Sequence, residues 1–164
     1  MLQMYNKLLE LPMFIGISNA ELADIVGNTK FGFHKLSEGK ILVKEDEKCE
    51  QLYFLVSGSL RVLSRADNHR YSIEEQLKAP AVIQPEHFFG LIQHHTKTFS
   101  AATACSLLSL DKTEVLRLMD ESFIFRLNFL NTVSMQAQKG SHYPWRQQPT
   151  DIRDQFISFL RLRC

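Results

Sequence analysis

Residues 39–62, GKILVKEDEKCEQLYFLVSGSLRV, decide the fold. They contain two short apolar segments, at residues 40–44 and 52–56, and the start of a third at residues 60–64; the segments are separated by acidic residues or by Ser57-Gly58-Ser59. Short runs of β-branched and aromatic residues between turn residues predict β-strands. Ser-Gly-Ser favours a tight turn, because glycine adopts a positive φ without steric cost. This stretch therefore predicts three consecutive strands.

The same pattern continues on both sides of that stretch. Residues 31–36, 71–75 and 107–110 are also short apolar segments bounded by Gly, Asp, Asn or Pro, and residues 66–69 read as a further turn. Many short strands with turns between them indicate a sandwich, a barrel or a jelly roll.

Helices are predicted before the strands. In the first segment, apolar residues recur near a 3.6-residue period until Pro12; they are Leu2, Leu8, Leu9 and Leu11. Ser18 and Glu21 fit a capping box, in which the serine accepts an early backbone N–H and the glutamate reaches back to the cap. Gly27-Asn28 predicts a left-handed stop for this second helix.

A longer helix is predicted after the strands. Asp111 and Glu114 form a second capping box, and the helix at residues 121–138 carries two apolar faces. One face consists of Phe123, Leu127, Leu130, Ser134 and Ala137, and the other of Phe125, Phe129 and Val133. A helix with two apolar faces needs two partners, so we expect one face to pack on the strands and the first-named face to pack on a second subunit. The alternative is a helix buried wholly within its own monomer.

The C-terminal part is predicted to be a hinge followed by a helix. Residues 140–149 read as a linker, in which Tyr143 and Trp145 are packing anchors or, alternatively, switch residues. The final helix begins at Thr150 or Asp151 and has an apolar side formed by Ile152, Phe156, Phe159 and Leu160. The expected organisation is a domain at residues 1–120, a dimerisation helix at 121–139 and a hinge with the first following helix at 140–164.

Composition indicates one globular domain. The chain has 164 residues, 45% of them hydrophobic and 23% charged, and no apolar run near the roughly 20 residues that cross a bilayer. Without a secretion signal the expected location is the cytoplasm, with no membrane partner. A formal net charge of +1 argues against nucleic-acid binding by this stretch alone. The three widely spaced cysteines predict reduced thiols and no metal.

Four segments, in this order, resemble the Crp/Fnr family of bacterial transcription regulators. They are LPMFIGISNAEL at residues 11–22, the 39–62 stretch, TACSLLSLDKTEVLRL at 103–118 and DIRDQFISFL at 151–160. The resemblance implies an α+β fold: a double-stranded β-helix (a β-roll or jelly roll), flanked by short N-terminal helices and a long C-terminal dimerisation helix. It also implies a cyclic-nucleotide-binding-like sensor, a homodimer, and contact with DNA only through a domain absent from this chain.

The resemblance also implies where a ligand would bind. Family members that bind cyclic AMP place Gly-Glu after an aromatic run, and Arg followed by Ser or Thr at the head of the next strand, to hold the phosphate and the ribose. Here Gly90 matches the glycine, but Leu91 replaces the glutamate, Thr98 the arginine and Phe99 the hydroxyl residue. Lys97 is expected to point away from Thr98. Because a buried phosphate without a cation costs several kcal/mol, cyclic AMP in the usual mode is disfavoured.

The same residues are a candidate ligand cup of apolar character. Its members are Phe88, Phe89, Gly90, Leu91, Ile92, Thr98, Phe99 and Ser100, with Gln93 as a further polar contact. Such a cup suits a small neutral or weakly acidic molecule. The alternative is that these side chains fill the roll and leave no pocket.

Other groups of polar residues give weaker signals. His87, His94 and His95 invite a metal or haem hypothesis, but solvated loop histidines are expected, with no metal and no cofactor. Glu74 and Glu75 should face opposite sides of a strand. No nucleophile or phosphate-loop motif occurs, so no enzymatic activity is expected.

The function predicted from sequence is effector sensing and dimerisation within a Crp/Fnr-like regulator. The expected partners are a second copy of the chain and a small-molecule effector of unknown identity. The alternative is a free-standing β-roll scaffold or interaction domain that holds no ligand.

Overall fold

The computed structural model of the chain describes residues 2–65 and 72–147, with side chains at 5–65 and 72–139. The helices are α1 (Leu2–Glu10), α2 (Asn19–Asn28), α3 (Lys112–Glu121) and α4 (Phe123–Gln147), and Pro85–His87 forms a 3₁₀ turn. The strands are β1 (Gly32–Leu36), β2 (Ile41–Val43), β3 (Gln51–Ser57), β4 (Ser59–Arg65), β5 (Ser72–Lys78), β6 (Ala81–Val82), β7 (Thr98–Ala101) and β8 (Cys105–Asp111).

Two four-stranded sheets build the β part. Their orders are β1-β8-β3-β6 and β2-β7-β4-β5, and every pairing is antiparallel. The non-consecutive neighbours show that the chain crosses repeatedly between the sheets, as in a jelly roll. The predicted mixed fold, a β-roll flanked by helices, is therefore confirmed.

The core has two parts because strand residues alternate between faces. Leu55 and Leu107 point between the sheets and pack there with Leu60 and Phe99. The neighbouring residues on the other face of the first sheet pack against the helices, in a cluster that contains Phe54, Leu108, Leu110, Leu11, Phe14 and Phe125. The helices thus cover the outside of the first sheet.

The predicted side-chain cap at the start of α2 is present, but two other details predicted for this helix differ in the structure. Glu21 N donates to Ser18 Oγ at 3.2 Å. The Glu21 carboxylate does not return to the cap; it accepts a hydrogen bond from Ser122 Oγ at 2.7 Å and so joins α2 to α4. The predicted left-handed stop at Gly27-Asn28 is wrong, since both residues lie within α2. Arg117 Nη2 donates to the terminal Asn28 carbonyl at 2.9 Å, and the chain continues in extended backbone.

The two apolar faces of α4 have different burial, as predicted. Phe125 and Phe129 are buried, whereas Phe123, Leu127 and Leu130 are 65%, 43% and 54% exposed. The alternative of a helix buried wholly in its monomer is therefore wrong for the described residues.

The long helix extends further than expected. It continues to Gln147, so the hinge predicted from residue 140 does not begin there. Gly140 and Pro144 weaken a helix without ending it when the backbone hydrogen-bond ladder continues on either side. The predicted turn at 66–69 and the predicted final helix lie outside the described residues.

Candidate functional site

A cavity of about 380 Å³ lies between the second sheet, the chain segment that joins β6 to β7, and α4. Its apolar lining is provided by Val62, Leu77, Val82 and Phe99. Its polar lining is provided by Glu75, Gln76, Gln84, Glu86, His87, Thr96, Lys97 and Gln136, and Ala137 completes the wall on α4. The cavity is open to solvent on the side of its polar residues, several of which are exposed, and of the predicted cup residues Phe99 alone lines it.

The register of β4 and β5 explains why one of two adjacent carboxylates faces this cavity. Val62 lies opposite Glu75, and directly opposed residues share a face of the sheet. Val62 belongs to the core between the sheets, so Glu75 lies on that side of the sheet, where its exposed side chain forms part of the cavity rim. Glu74 points outward and forms an exposed ion pair with Arg61 at 2.8 Å. The prediction that the two glutamates face opposite sides is confirmed.

Gln84 joins the two ends of the segment between β6 and β7. Its backbone is left-handed, with φ 43°. Its Oε1 accepts hydrogen bonds from His95 Nδ1 at 3.0 Å and from Thr96 N at 3.3 Å, and its Nε2 donates to Thr96 Oγ1 at 2.8 Å. The residues before the 3₁₀ turn and those before β7 are thereby held together at the cavity wall.

His95 is a buried member of this network rather than a solvated loop histidine. It is 2% exposed, and its ring packs edge-on to the Phe99 ring, with 6.4 Å between the two ring centroids. Burial lowers the pKa of His95, and the negative charge of Glu47 acts in the opposite direction. The prediction of a solvated histidine is wrong here, although His94 is exposed. Among the described residues, no three His, Cys, Asp or Glu side chains are arranged to hold a metal ion.

Charged side chains line the cavity, contrary to the sequence-based expectation. Glu86 and Lys97 both face it. Burial raises the pKa of Glu86, while His87, its own backbone N–H and Lys97 oppose this shift. None of the described residues that line the cavity is an arginine. Lys97 points away from Thr98, as expected, but the side on which it lies is the one that faces the cavity.

Thr98, which the resemblance placed at the arginine position, faces away from the interior. Its Oγ1 accepts a hydrogen bond from Glu45 N at 3.0 Å. Phe99 and Ala101 are the buried residues of β7. By alternation, Lys97 shares the inward side with Phe99, which is why it enters the cavity and Thr98 does not.

The structure does not gather the eight predicted cup residues around one cavity. Of these, Phe99 alone belongs to the lining described above. Phe88 is 1% exposed and belongs to the helical core, and the Phe89 ring lies 5.8 Å from that of Phe129. Leu91 is 99% exposed, and Gly90 and Ile92 are also exposed. Thr98 and Ser100 alternate with the buried residues of β7.

The Phe88-Phe89 pair is held by a lysine at the start of α3. Lys112 Nζ lies 5.3 Å from the centroid of the Phe88 ring and 5.8 Å from that of Phe89. It also donates a hydrogen bond to Gln93 Oε1. These contacts keep the aromatic pair against the helices and away from the cavity.

Comparison with known proteins identifies the family. The sequence profile of the cyclic nucleotide-binding domain matches residues 33–122, which is more than half of the chain. No curated protein sequence matches the chain significantly. No helix of the described residues is long and apolar enough to span a membrane.

Several solved structures share the fold at low sequence identity. A cyclic nucleotide-binding domain from Methylobacillus flagellatus superposes with TM-score 0.72 at 14% identity, covering 92% of this chain and 87% of that one. The sensor domain of the transcriptional regulator DNR from Pseudomonas aeruginosa gives 0.67 at 14% identity, with 92% and 95% covered. The catabolite activator protein of Thermus thermophilus gives 0.69 at 15% identity; 79% of this chain is covered, but only 59% of that protein. The chain therefore belongs to the cyclic nucleotide-binding domain family, with the fold of the sensor domains of Crp/Fnr-type transcription regulators.

Proposed function

We propose that this chain is the effector-sensing and dimerising part of a Crp/Fnr-like transcription regulator, and that its effector occupies the cavity. One observation carries the proposal. The cavity is walled by the β-roll on one side and by Gln136 and Ala137 of α4 on the other, and Ala137 is also the last residue of the predicted dimerisation face, whose apolar residues α4 presents to solvent. A ligand in the cavity therefore contacts the helix that we expect to join two subunits.

The exposed face of α4 supports dimerisation through a second copy of the chain. Phe123, Leu127, Leu130 and Ser134 recur at spacings of three and four residues, which places them on one side of the helix. An apolar stripe of this spacing suits helix–helix packing in a dimer. We assign dimerisation to residues 121–139 and sensing to residues 1–120.

Hydrogen bonds couple α4, and Ser122 directly before it, to α2 and to the turn between α1 and α2. Asn128 Nδ2 donates to the Met13 carbonyl at 3.0 Å and to the Ile15 carbonyl at 2.8 Å, and Ser122 Oγ donates to Glu21. The helices thus form one packed unit on the outside of the β-roll. A ligand that binds this unit and the β-roll better in one arrangement shifts the population toward that arrangement.

The charges of the cavity support an effector other than cyclic AMP bound in the usual mode. Two carboxylates, of Glu75 and Glu86, face the cavity with the single ammonium group of Lys97. A phosphate diester there meets negative charge and finds no guanidinium group to hold both of its oxygens. We assign DNA binding to a separate domain, since this chain spans 59% of the Thermus thermophilus protein and has a formal net charge of +1.

Sedimentation equilibrium tests the proposal through a charge placed on the exposed face of α4. Leu127→Glu is expected to convert a dimeric wild type into a monomer, because a charge in an apolar helix interface is costly. Met135→Glu is the matched control: it places the same charge at another exposed apolar position of α4, outside the stripe, and should leave the dimer intact. A wild type that is monomeric at every concentration, or equal effects of both variants, would contradict the proposal.

A further inference from the structure

We propose that His95 is a pH-sensitive positioning residue, which holds the wall of the cavity in place when its ring is neutral and releases that wall when the ring is protonated. The inference rests on the proposed function in one respect, because it treats the cavity as the effector site. His95 does not itself line the cavity, but its side chain contacts two residues that do, Gln84 and Phe99. A change in its charge therefore acts on the candidate site through these neighbours.

The backbone of His95 fastens the segment before β7 to the segment before β3. Its N–H donates to the Glu47 carbonyl at 2.8 Å, and its carbonyl accepts a hydrogen bond from Asp46 N at 2.7 Å. The side chain of the same residue is bonded to Gln84 and packs on the ring of Phe99. His95 thus joins three parts of the chain at one edge of the cavity.

The hydrogen bonds around Gln84 fix which ring nitrogen of His95 carries the proton in the neutral state. Gln84 Nε2 donates to Thr96 Oγ1 and Gln84 Oε1 accepts from Thr96 N, so the amide presents its oxygen to the ring. His95 Nδ1, 3.0 Å from that oxygen, is therefore the donor. A second proton must bind at Nε2, which forms no hydrogen bond with any residue in the described part of the chain.

Protonation is costly while the wall is closed. His95 is 2% exposed and packs on an aromatic ring, and a charge that is buried without a partner loses its hydration. The titratable groups that act on the ring are Glu47, which favours its charged form, and His87 and His94, which disfavour it. Burial outweighs Glu47, so the pKa of His95 lies below its ordinary value of 6.5. Opening of the segment exposes the ring to water, and it is therefore favoured as the pH falls from 6.5 through the lowered pKa.

A pH titration by NMR, from about pH 8 to about pH 5, tests this role without any effector. In the wild type the His95 ring should titrate with a midpoint below 6.5. The protection of the His95 and Thr96 amides against exchange should fall with the same midpoint, by at most about ten-fold per pH unit. Because this opening is local, both amides should be less protected than those of β8, in the middle of the first sheet.

Two variants and a control separate the titration of His95 from a merely structural role. His95→Asn keeps an N–H donor near the position of Nδ1 but cannot be charged, so the pH dependence at Thr96 should disappear. Gln84→Glu places a carboxylate beside the ring and should raise the midpoint of His95 above that of the wild type. His94→Asn, at the exposed neighbouring position, is the matched control and should leave the pH dependence at Thr96 in place.

Several results would overturn the inference. In the wild type they are a His95 ring that titrates at or above 6.5, and protection at Thr96 that ignores this titration or equals that of β8. In the variants they are a pH dependence that persists in His95→Asn and a midpoint that is not raised in Gln84→Glu. The wild-type titration decides the inference even if a variant does not fold. Failure of the proposed function appears in a different experiment, as a monomeric wild type in sedimentation equilibrium, because the titration contains no effector.

Discussion

The middle and the two ends of the segment that joins β6 to β7 have different roles. Its middle, at Phe88 and Phe89, packs against the helices, and its tip at Leu91 lies in solvent. Its ends, at residues 84–87 and 96–97, line the cavity and are linked through Gln84. The aromatic residues therefore anchor this segment, while the polar residues on either side form the candidate site.

In this segment the residues that anchor it to the helices are separate from the residues that line the cavity. Phe88 is fixed by core packing, and Lys112 holds both aromatic rings from the start of α3. The cavity residues are then positioned without having to form the core themselves. Each of the following changes tests one side of this division.

The largest effect is expected at the anchor. Phe88→Ala should lower the free energy of unfolding by about 3–5 kcal/mol, because it leaves a cavity in the helical core. Leu91→Ala, three residues away, should change it by no more than about 0.5 kcal/mol, since that side chain is almost fully exposed. Chemical denaturation of both variants measures the difference. Similar losses would show that the segment is not divided as described.

A smaller effect is expected where Gln84 joins the two ends. Gln84→Ala removes three hydrogen bonds and leaves His95 Nδ1 without its acceptor, so a loss of about 1–3 kcal/mol is expected. Gln138→Ala, at an exposed position of α4, is the control and should be nearly neutral. If Gln84→Ala is equally neutral in denaturant unfolding, the network does not hold the cavity wall.

The stability of the protein should depend on pH through His95. Burial lowers its folded-state pKa below the ordinary value of 6.5. Its contribution is therefore present above pH 6.5 and is lost as the pH falls from there through the folded-state pKa, with a slope of at most about 1.4 kcal/mol per unit. Thermal unfolding of wild type and His95→Gln across this range measures the effect. A difference between them that does not change with pH would contradict it.

The smallest effect is expected from the lysine that holds the aromatic pair. Lys112→Met keeps the aliphatic stem but loses the charge, so it should cost about 0.5–1 kcal/mol. Amide exchange should accelerate at Phe88, Phe89 and Gln93, whose side chains the lysine contacts, and should be unchanged in β4. Lys139→Met, at an exposed position of α4, serves as the control. If amide exchange is unchanged in both variants, Lys112 does not hold the aromatic pair in place.

The sequence alone predicted much of the fold but little of the candidate site. Strand alternation, turn residues and the caps at Ser18 and Asp111 are local signals, and they predicted a sandwich, barrel or jelly roll and the boundary between β8 and α3; the β-roll itself was implied by the family resemblance. The two faces of α4 followed from the spacing of its apolar residues. These features depend on neighbours close in sequence, and local patterns specify them.

The site depended on packing between residues distant in sequence. The Phe-Phe-Gly motif resembles a binding cassette, but the helices and Lys112 take up its aromatic rings. The inward orientation of Lys97 depends on the register of β7, which begins one residue later. The burial of Phe99 was the available signal, because residues two apart share a face of a strand.

A titration of the isotope-labelled wild type with cyclic AMP, followed by amide NMR, tests most directly where ligands bind and how the cavity charges act. Weak, non-saturating shifts are expected up to millimolar nucleotide, and those that occur should lie at residues 84–87, 96–99 and around Gln136. Saturable shifts at micromolar concentration would contradict the expectation that a cavity lined by two carboxylates and one ammonium group disfavours cyclic AMP. Shifts centred on residues 90–92 would contradict the location of the site.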